Sequence, residues 1–133
     1  MAGFMVTRAG AILAVSDLSA SLRFYRDRLG LEVDAVYDDP PYATLACAGA
    51  RISLAEQGHP AEDRPGVLMT APADRSEAAV VLVLEVVDAL SAHAALLAED
   101  VPMLAPPFSP AWGGCRFFCV DPDGYLVEIE QPA

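Results

Sequence analysis

The chain contains no lysine, and its eight cationic side chains, all arginine, face nineteen acidic ones. The resulting net charge of −11 repels a phosphate backbone, so nucleic acid is not expected as a partner. A solvated acidic surface that keeps the protein soluble accounts for the charge, which would also favour a cationic small molecule. The missing lysine, beside abundant alanine, reflects composition bias and points to no mechanism. Cysteine is scarce as well: Cys47, Cys115 and Cys119 form no Cys-x-x-Cys pair. An odd count without that spacing argues against a disulfide scaffold and suits small buried thiols in a reducing compartment. Cys115 and Cys119 would share one face of a strand two alternations apart, beyond disulfide reach. No apolar run is long enough to cross a bilayer, and Met1 to Arg8 lacks the apolar core of a secretory signal. No membrane partner is expected, and a cytoplasmic location is.

What the chain has is apolar side chains, 54% of its 133 residues, enough for one domain with a real core and too few for two ordinary domains. Gly10 to Val15 reads as a short strand. Ser16-Asp17 then offers a helix cap, and Leu18, Leu22, Tyr25 and Leu29 recur at helical spacing before Gly30 stops the turn. Three short strands follow, Leu31 to Tyr37, Tyr42 to Cys47 and Arg51 to Ala55, separated by Asp38-Asp39-Pro40-Pro41 and by Ala48-Gly49. A shift of 71 residues, the separation of Asp17 and Asp88, brings the pattern back. Val81 to Val86 is the strand, Asp88 the cap, and Leu90, Ala94 and Leu97 the expected buried helix stripe. Met103 to Phe108, Cys115 to Val120 and Tyr125 to Glu130 are the matching strands, the last two joined by the Asp121-Pro122-Asp123-Gly124 turn. The expected organisation is therefore one domain over residues 1–133: module one about 8–56, a Gly- and Pro-bearing linker 57–77, and module two 78–131.

Val15-Ser16-Asp17-Leu18-Ser19-Ala20-Ser21-Leu22-Arg23-Phe24-Tyr25, then Leu29-Gly30-Leu31, Trp112-Gly113, Phe117-Phe118 and Asp121-Pro122-Asp123-Gly124-Tyr125-Leu126-Val127-Glu128 occur in an order and spacing that resemble the vicinal oxygen chelate superfamily. That group includes glyoxalase I, extradiol dioxygenases, fosfomycin-modifying enzymes and the drug-binding proteins of the bleomycin-resistance type. The resemblance spans nearly the whole chain. It implies an α+β fold of two βαβββ modules whose curved mixed sheets enclose a ligand cavity, completed in a homodimer.

In metal-using members the ligands lie on the first and last strands of each module, and the resemblance carries these onto Gly10, Ser53, Val81 and Glu128. Glycine and valine offer a metal no side-chain donor, serine is a poor one, and a single carboxylate does not reach the three or more ligands that Zn²⁺, Mn²⁺ or Fe²⁺ require. His59 falls in the linker and His93 in the second helix, away from the strand faces. No metal and no other cofactor is therefore expected, which resembles the bleomycin-resistance branch, whose members work by binding a drug.

Strand alternation puts residues in phase with Glu128 and Val81 toward the cavity, Ser53, Val83, Glu85 and Leu126 among them, and Val127, Ile129, Leu82 and Leu84 toward the helices. Trp112 would stack on a flat ligand, or else seal a dimer interface. Arg116 and Phe118 share one strand face and Cys115, Phe117 and Cys119 the other. The first pair is placed toward the cavity, because buried cysteines suit a helix-packed face. Tyr37 and Tyr42 would add a second aromatic wall or simply cover a strand end. A desolvated Glu128 would be protonated, or paired with Arg116 or with a ligand amine. Two functions compete. One is sequestration of an aromatic or polycyclic natural product, with Trp112, Phe118, Arg116, Tyr37, Tyr42, Ser53, Val81 and Glu128 binding it. The other is a metal-independent lyase, isomerase or cyclase with Glu128 or Glu85 as general base. A metal-dependent glyoxalase or dioxygenase ranks below both.

Overall fold

The computed structural model describes residues 3–133, so Met1 and Ala2, at the head of the stretch read for a secretory signal, lie outside the described residues. The chain divides into two compact units that part between Ala71 and Pro72. No helix among the described residues is long and apolar enough to cross a membrane.

In the first unit β1 (Gly10–Val15) leads into α1 (Leu18–Leu22), followed by β2 (Glu32–Asp38), β3 (Pro41–Cys47) and β4 (Ala50–Glu56). The sheet order is β1-β4-β3-β2, with β1 parallel to β4 and the other pairs antiparallel. A parallel pair needs a crossover, which α1 begins. Asp17 caps this helix, its carboxylate accepting from the Ala20 amide at 3.2 Å. From Arg23 to Arg28 the helix widens into a π turn, in which the Leu29 amide donates to Phe24 O at 3.0 Å. The extra residue per turn puts neighbouring Phe24 and Tyr25 both into the core and leaves Leu29, expected in the stripe, half-buried. Leu13, Val15, Ala43, Leu45, Ile52 and Leu54 fill the other side of that core, every second residue of three strands. Beyond β4 the loop closes on itself, with the Gly58 amide donating to Met69 O and the Ala71 amide to the Gln57 side chain.

The second unit repeats the opening with β5 (Val81–Glu85) and α2 (Ala89–Ala98), then adds β6 (Cys115–Val120) and β7 (Leu126–Gln131) in the order β5-β7-β6. Asp88 caps α2 through the Ser91 amide at 3.0 Å and the Ser91 hydroxyl at 2.9 Å. Two expectations change here. The helix does not bury Leu90, Ala94 and Leu97, which are exposed; it buries Ala89 and Leu96 and lays His93 edge-on against Phe117, with ring centroids 5.0 Å apart. Alanine and leucine surround this helix on all sides, so the apolar spacing alone admits two registers and the packing chooses the one that starts directly after the cap. The strand expected over 103–108 survives only as single bridges, Met103 to Cys119 and Phe108 to Arg116. Pro102, Pro106 and Pro107 have no amide hydrogen to donate, which interrupts the ladder along β6. The α+β class with two mixed sheets stands, one of four strands and one of three.

The β6–β7 turn shows why Asp121-Pro122-Asp123-Gly124 is there. The nearly buried Asp121 carboxylate accepts from the amides of Asp123 at 2.9 Å and Tyr125 at 2.8 Å, and Gly124 takes a φ of 92°. This motif builds the turn that sets β7 in register.

Candidate functional site

In the second unit one sheet face packs on α2 and the other carries the polar chemistry. Register places Phe118 and Val83 on either side of Glu128, and Arg116 and Glu85 on either side of Glu130. Arg116 donates through Nη1 to Glu128 Oε1 at 3.0 Å. The two partners differ in burial, the Glu128 side chain being 10% exposed and that of Arg116 36%. The guanidinium therefore supplies the charge and the donor that a desolvated carboxylate needs, with its other face open. That open face lies between aromatic rings, 5.5 Å from the centroid of Phe118 and 5.9 Å from that of Trp112. Trp112 itself is 73% exposed. Its position is fixed by the Gly113 amide, which donates to Pro110 O at 3.0 Å, and by two glycines at positive φ. A Cβ at Gly114 would stand 2.5 Å from Gln131 O, so only glycine lets this loop lie so close to the end of β7.

Four of the residues singled out from the sequence thus meet: Trp112, Arg116, Phe118 and Glu128. Val81 shares their sheet face but is paired with Leu126, and Val83 is the residue opposite Glu128. Glu85 is on the same face and exposed. Phe117 and Cys119 point into the packed side, and burial pushes the Cys119 thiol up to about 11.

The first unit holds Tyr37, Tyr42 and Ser53. The two tyrosine rings flank the β2–β3 turn with centroids 6.2 Å apart. Tyr42 and Ser53, with Gly10, Ala11, Ile12 and Arg51, line an open cavity of about 240 Å³. Tyr37 is not among the lining residues. Arg51 and Ile12 were missed in the sequence, although alternation along β4 puts Arg51 in phase with Ser53.

A divalent metal does not fit the donors present. A Cβ at Gly10 would meet Arg51 O at 2.5 Å, so β1 approaches β4 too closely there for any side chain, and Ser53 lies opposite Ile12. In the second unit Glu128 has Val83 and Phe118 beside it and is already paired with Arg116. No group of three or more His, Cys, Asp or Glu among the described residues is placed to hold a metal.

Two mixed sheets, of four and three strands, each backed by a short helix, define an α+β protein. The chain belongs to the Glyoxalase/Bleomycin resistance protein/Dioxygenase superfamily, whose sequence model matches residues 6–129. Among solved structures it resembles TioX from Micromonospora sp. ML1, with a TM-score of 0.76 and 16% identity over 95% of this chain and 98% of that one. It also resembles an integron cassette protein from the mobile metagenome of V. cholerae, at 0.74 and 19% over the full length of both. A lactoylglutathione lyase from Agrobacterium tumefaciens follows the same fold at 0.71 and 18%, covering 96% of this chain and 92% of the other. At such identities the likeness establishes the fold. No curated protein matches the sequence.

Proposed function

We propose that this protein is a metal-independent small-molecule binding protein that sequesters an aromatic or polycyclic natural product, such as an antibiotic, in the cytoplasm. The observation that supports it best is the Trp112–Arg116–Phe118 stack pinned by Glu128. A planar cation held by a buried carboxylate between aromatic rings is a platform ordered in advance, so a flat ligand that stacks on Trp112 loses little freedom to side-chain ordering. A general base at Glu128 would have to take its proton beside the Arg116 charge bonded to Oε1, which weighs against turnover through that carboxylate. The acidic chain, with Glu85 and Glu130 beside the stack, suits a ligand bearing cationic or hydroxyl groups. A homodimer belongs to the same reading. Ile12 at 51% and Val83 at 46% exposure leave apolar sheet surface that a second copy would cover, as the superfamily resemblance implies.

The test is a titration with bleomycin, mitomycin, anthracycline and enediyne-derived compounds, following the emission of Trp112, the single tryptophan. A saturable change with one ligand per site, and mass spectra showing the ligand recovered unaltered, is expected. A chemically altered ligand, or a flat response across the panel, overturns sequestration.

A further inference from the structure

Arginine is scarce in this chain, and most of what the structure shows of it is satisfied within the protein. Arg116 bonds Glu128, Arg26 bonds Asp27, and Arg64 and Arg75 donate to backbone carbonyls. Arg51 differs. It stands on β4 at the cavity of the first unit, and among the described residues it has no ion pair, although nineteen acidic residues compete for eight cations. Two residues along the same strand, and so on the same face, is Ser53. Ser53 is 2% exposed and lines the same cavity.

We propose that this cavity is a carboxylate subsite, in which the Arg51 guanidinium and the Ser53 hydroxyl donate to the acid group of an aromatic acid while Tyr42 and Ile12 contact its ring. The assignment rests on reading the protein as a small-molecule binder and names the ligand chemistry of one of its faces. Guanidinium matches a carboxylate with two parallel N–H···O bonds, and the hydroxyl supplies a third donor. A single cation neutralises a single negative charge. A phosphate dianion would keep one charge unbalanced in a chain of net charge −11, which selects the carboxylate. At about 240 Å³ the cavity falls below the roughly 300–1,000 Å³ of pockets for drug-sized ligands, so it takes one ring with its acid group.

Benzoate is the probe, read by NMR on the Arg51 side-chain N–H and the Ser53 amide of isotope-labelled full-length protein. Saturable shifts of these signals with benzoate are expected, and binding of benzamide, benzylamine and phenyl phosphate at least about tenfold weaker. Arg51→Gln is expected to weaken benzoate by about tenfold or more and Arg51→Lys by less, each with a dispersed spectrum that shows the fold intact. Equal affinity for benzoate and benzamide, a preference for phenyl phosphate, or undiminished benzoate binding by folded Arg51→Gln overturns the subsite. Because this readout does not involve Trp112, a benzoate response without any antibiotic response refutes sequestration and leaves the subsite standing. Antibiotic binding without a benzoate response does the reverse.

Discussion

Asp17 caps the helix of the first unit through one amide, and Asp88, 71 residues later, caps that of the second through an amide and a hydroxyl. Both helices follow an edge strand that runs parallel to the last strand of its own sheet. On the open faces the two units diverge. In the first, the last strand carries Ser53 with Arg51 two residues before it, and the neighbouring strand places Tyr42, Thr44 and Ala46 opposite Ala55, Ser53 and Arg51. In the second, the last strand carries Glu128 after Leu126, and Arg116, Phe118 and Val120 stand opposite Glu130, Glu128 and Leu126. If Ser53 and Glu128 are taken as equivalent, Arg116 occupies the register place of Tyr42, and Leu126 that of Arg51. Each face has one arginine, at opposite ends of the same lattice. One arginine is paired with a carboxylate and the other has no ion pair among the described residues, so one strand register carries two faces of different charge. Residues that set caps and pairing are tied to the backbone they hold. Those facing outward from the sheet do not share that constraint.

The sharpest way to break this comparison is at the start of each first strand. Gly10→Ala would put a Cβ 2.5 Å from Arg51 O, against backbone that cannot turn aside, and is expected to cost about 2–3 kcal/mol by forcing β1 from β4. The counterpart Val81→Ala removes a side chain 38% exposed and is expected to change stability by under about 0.5 kcal/mol. Urea midpoints at constant slope measure both. Similar losses would show that close approach of β1 to β4 is not what sets the first unit apart.

A second pair of substitutions compares the arginines. Arg116→Ala leaves the Glu128 carboxylate, 10% exposed, without its donor, and a loss of about 1–2 kcal/mol is expected after allowing for the partial exposure of Arg116 itself. Arg51→Ala removes a side chain with no ion pair among the described residues, and an effect within about 0.5 kcal/mol is expected. Equal losses would mean that the Arg116–Glu128 bond contributes nothing specific to stability.

Much of this was legible in the sequence. Caps, stops and the Asp-Pro-Asp-Gly turn are local, and a short-range rule decides each of them, so β1, α1 and the β6–β7 hairpin fell where expected. Alternation placed Arg116 and Phe118 with Glu128 because Cys115, Phe117 and Cys119, on the other face of β6, suit the helix-packed side. Alternation alone could not find the stripe of α2, where alanine makes every face apolar, or foresee that three prolines would reduce an edge strand to two bridges. The cavity at Arg51 escaped for a different reason. A cavity depends on which strands lie beside each other, and the β1–β4 pairing that brings Gly10 next to Arg51 joins residues far apart in sequence.

The smallest effect expected is confined to one unit and one pH range. Cys119, paired with Val127 on the packed side of β6, occupies the register place that Leu45, paired with Ile52, fills in the first unit, where nothing titrates. Burial raises its thiol from 9.0 to about 11, with Asp121 nearby adding to the rise. The folded state therefore holds this proton more tightly than the unfolded chain does. The stability gained is complete below about 9, the value in the unfolded chain, and is lost as the pH climbs toward about 11. Urea midpoints of the native protein should thus fall across that window more steeply than those of Cys119→Val, with the two running parallel at neutral pH. Alkylation in the folded state should meanwhile reach the half-buried Cys47 and Cys115 before Cys119. If Cys119→Val shows the same alkaline slope, the loss arises from other groups, and this position is as inert in the second unit as Leu45 is in the first.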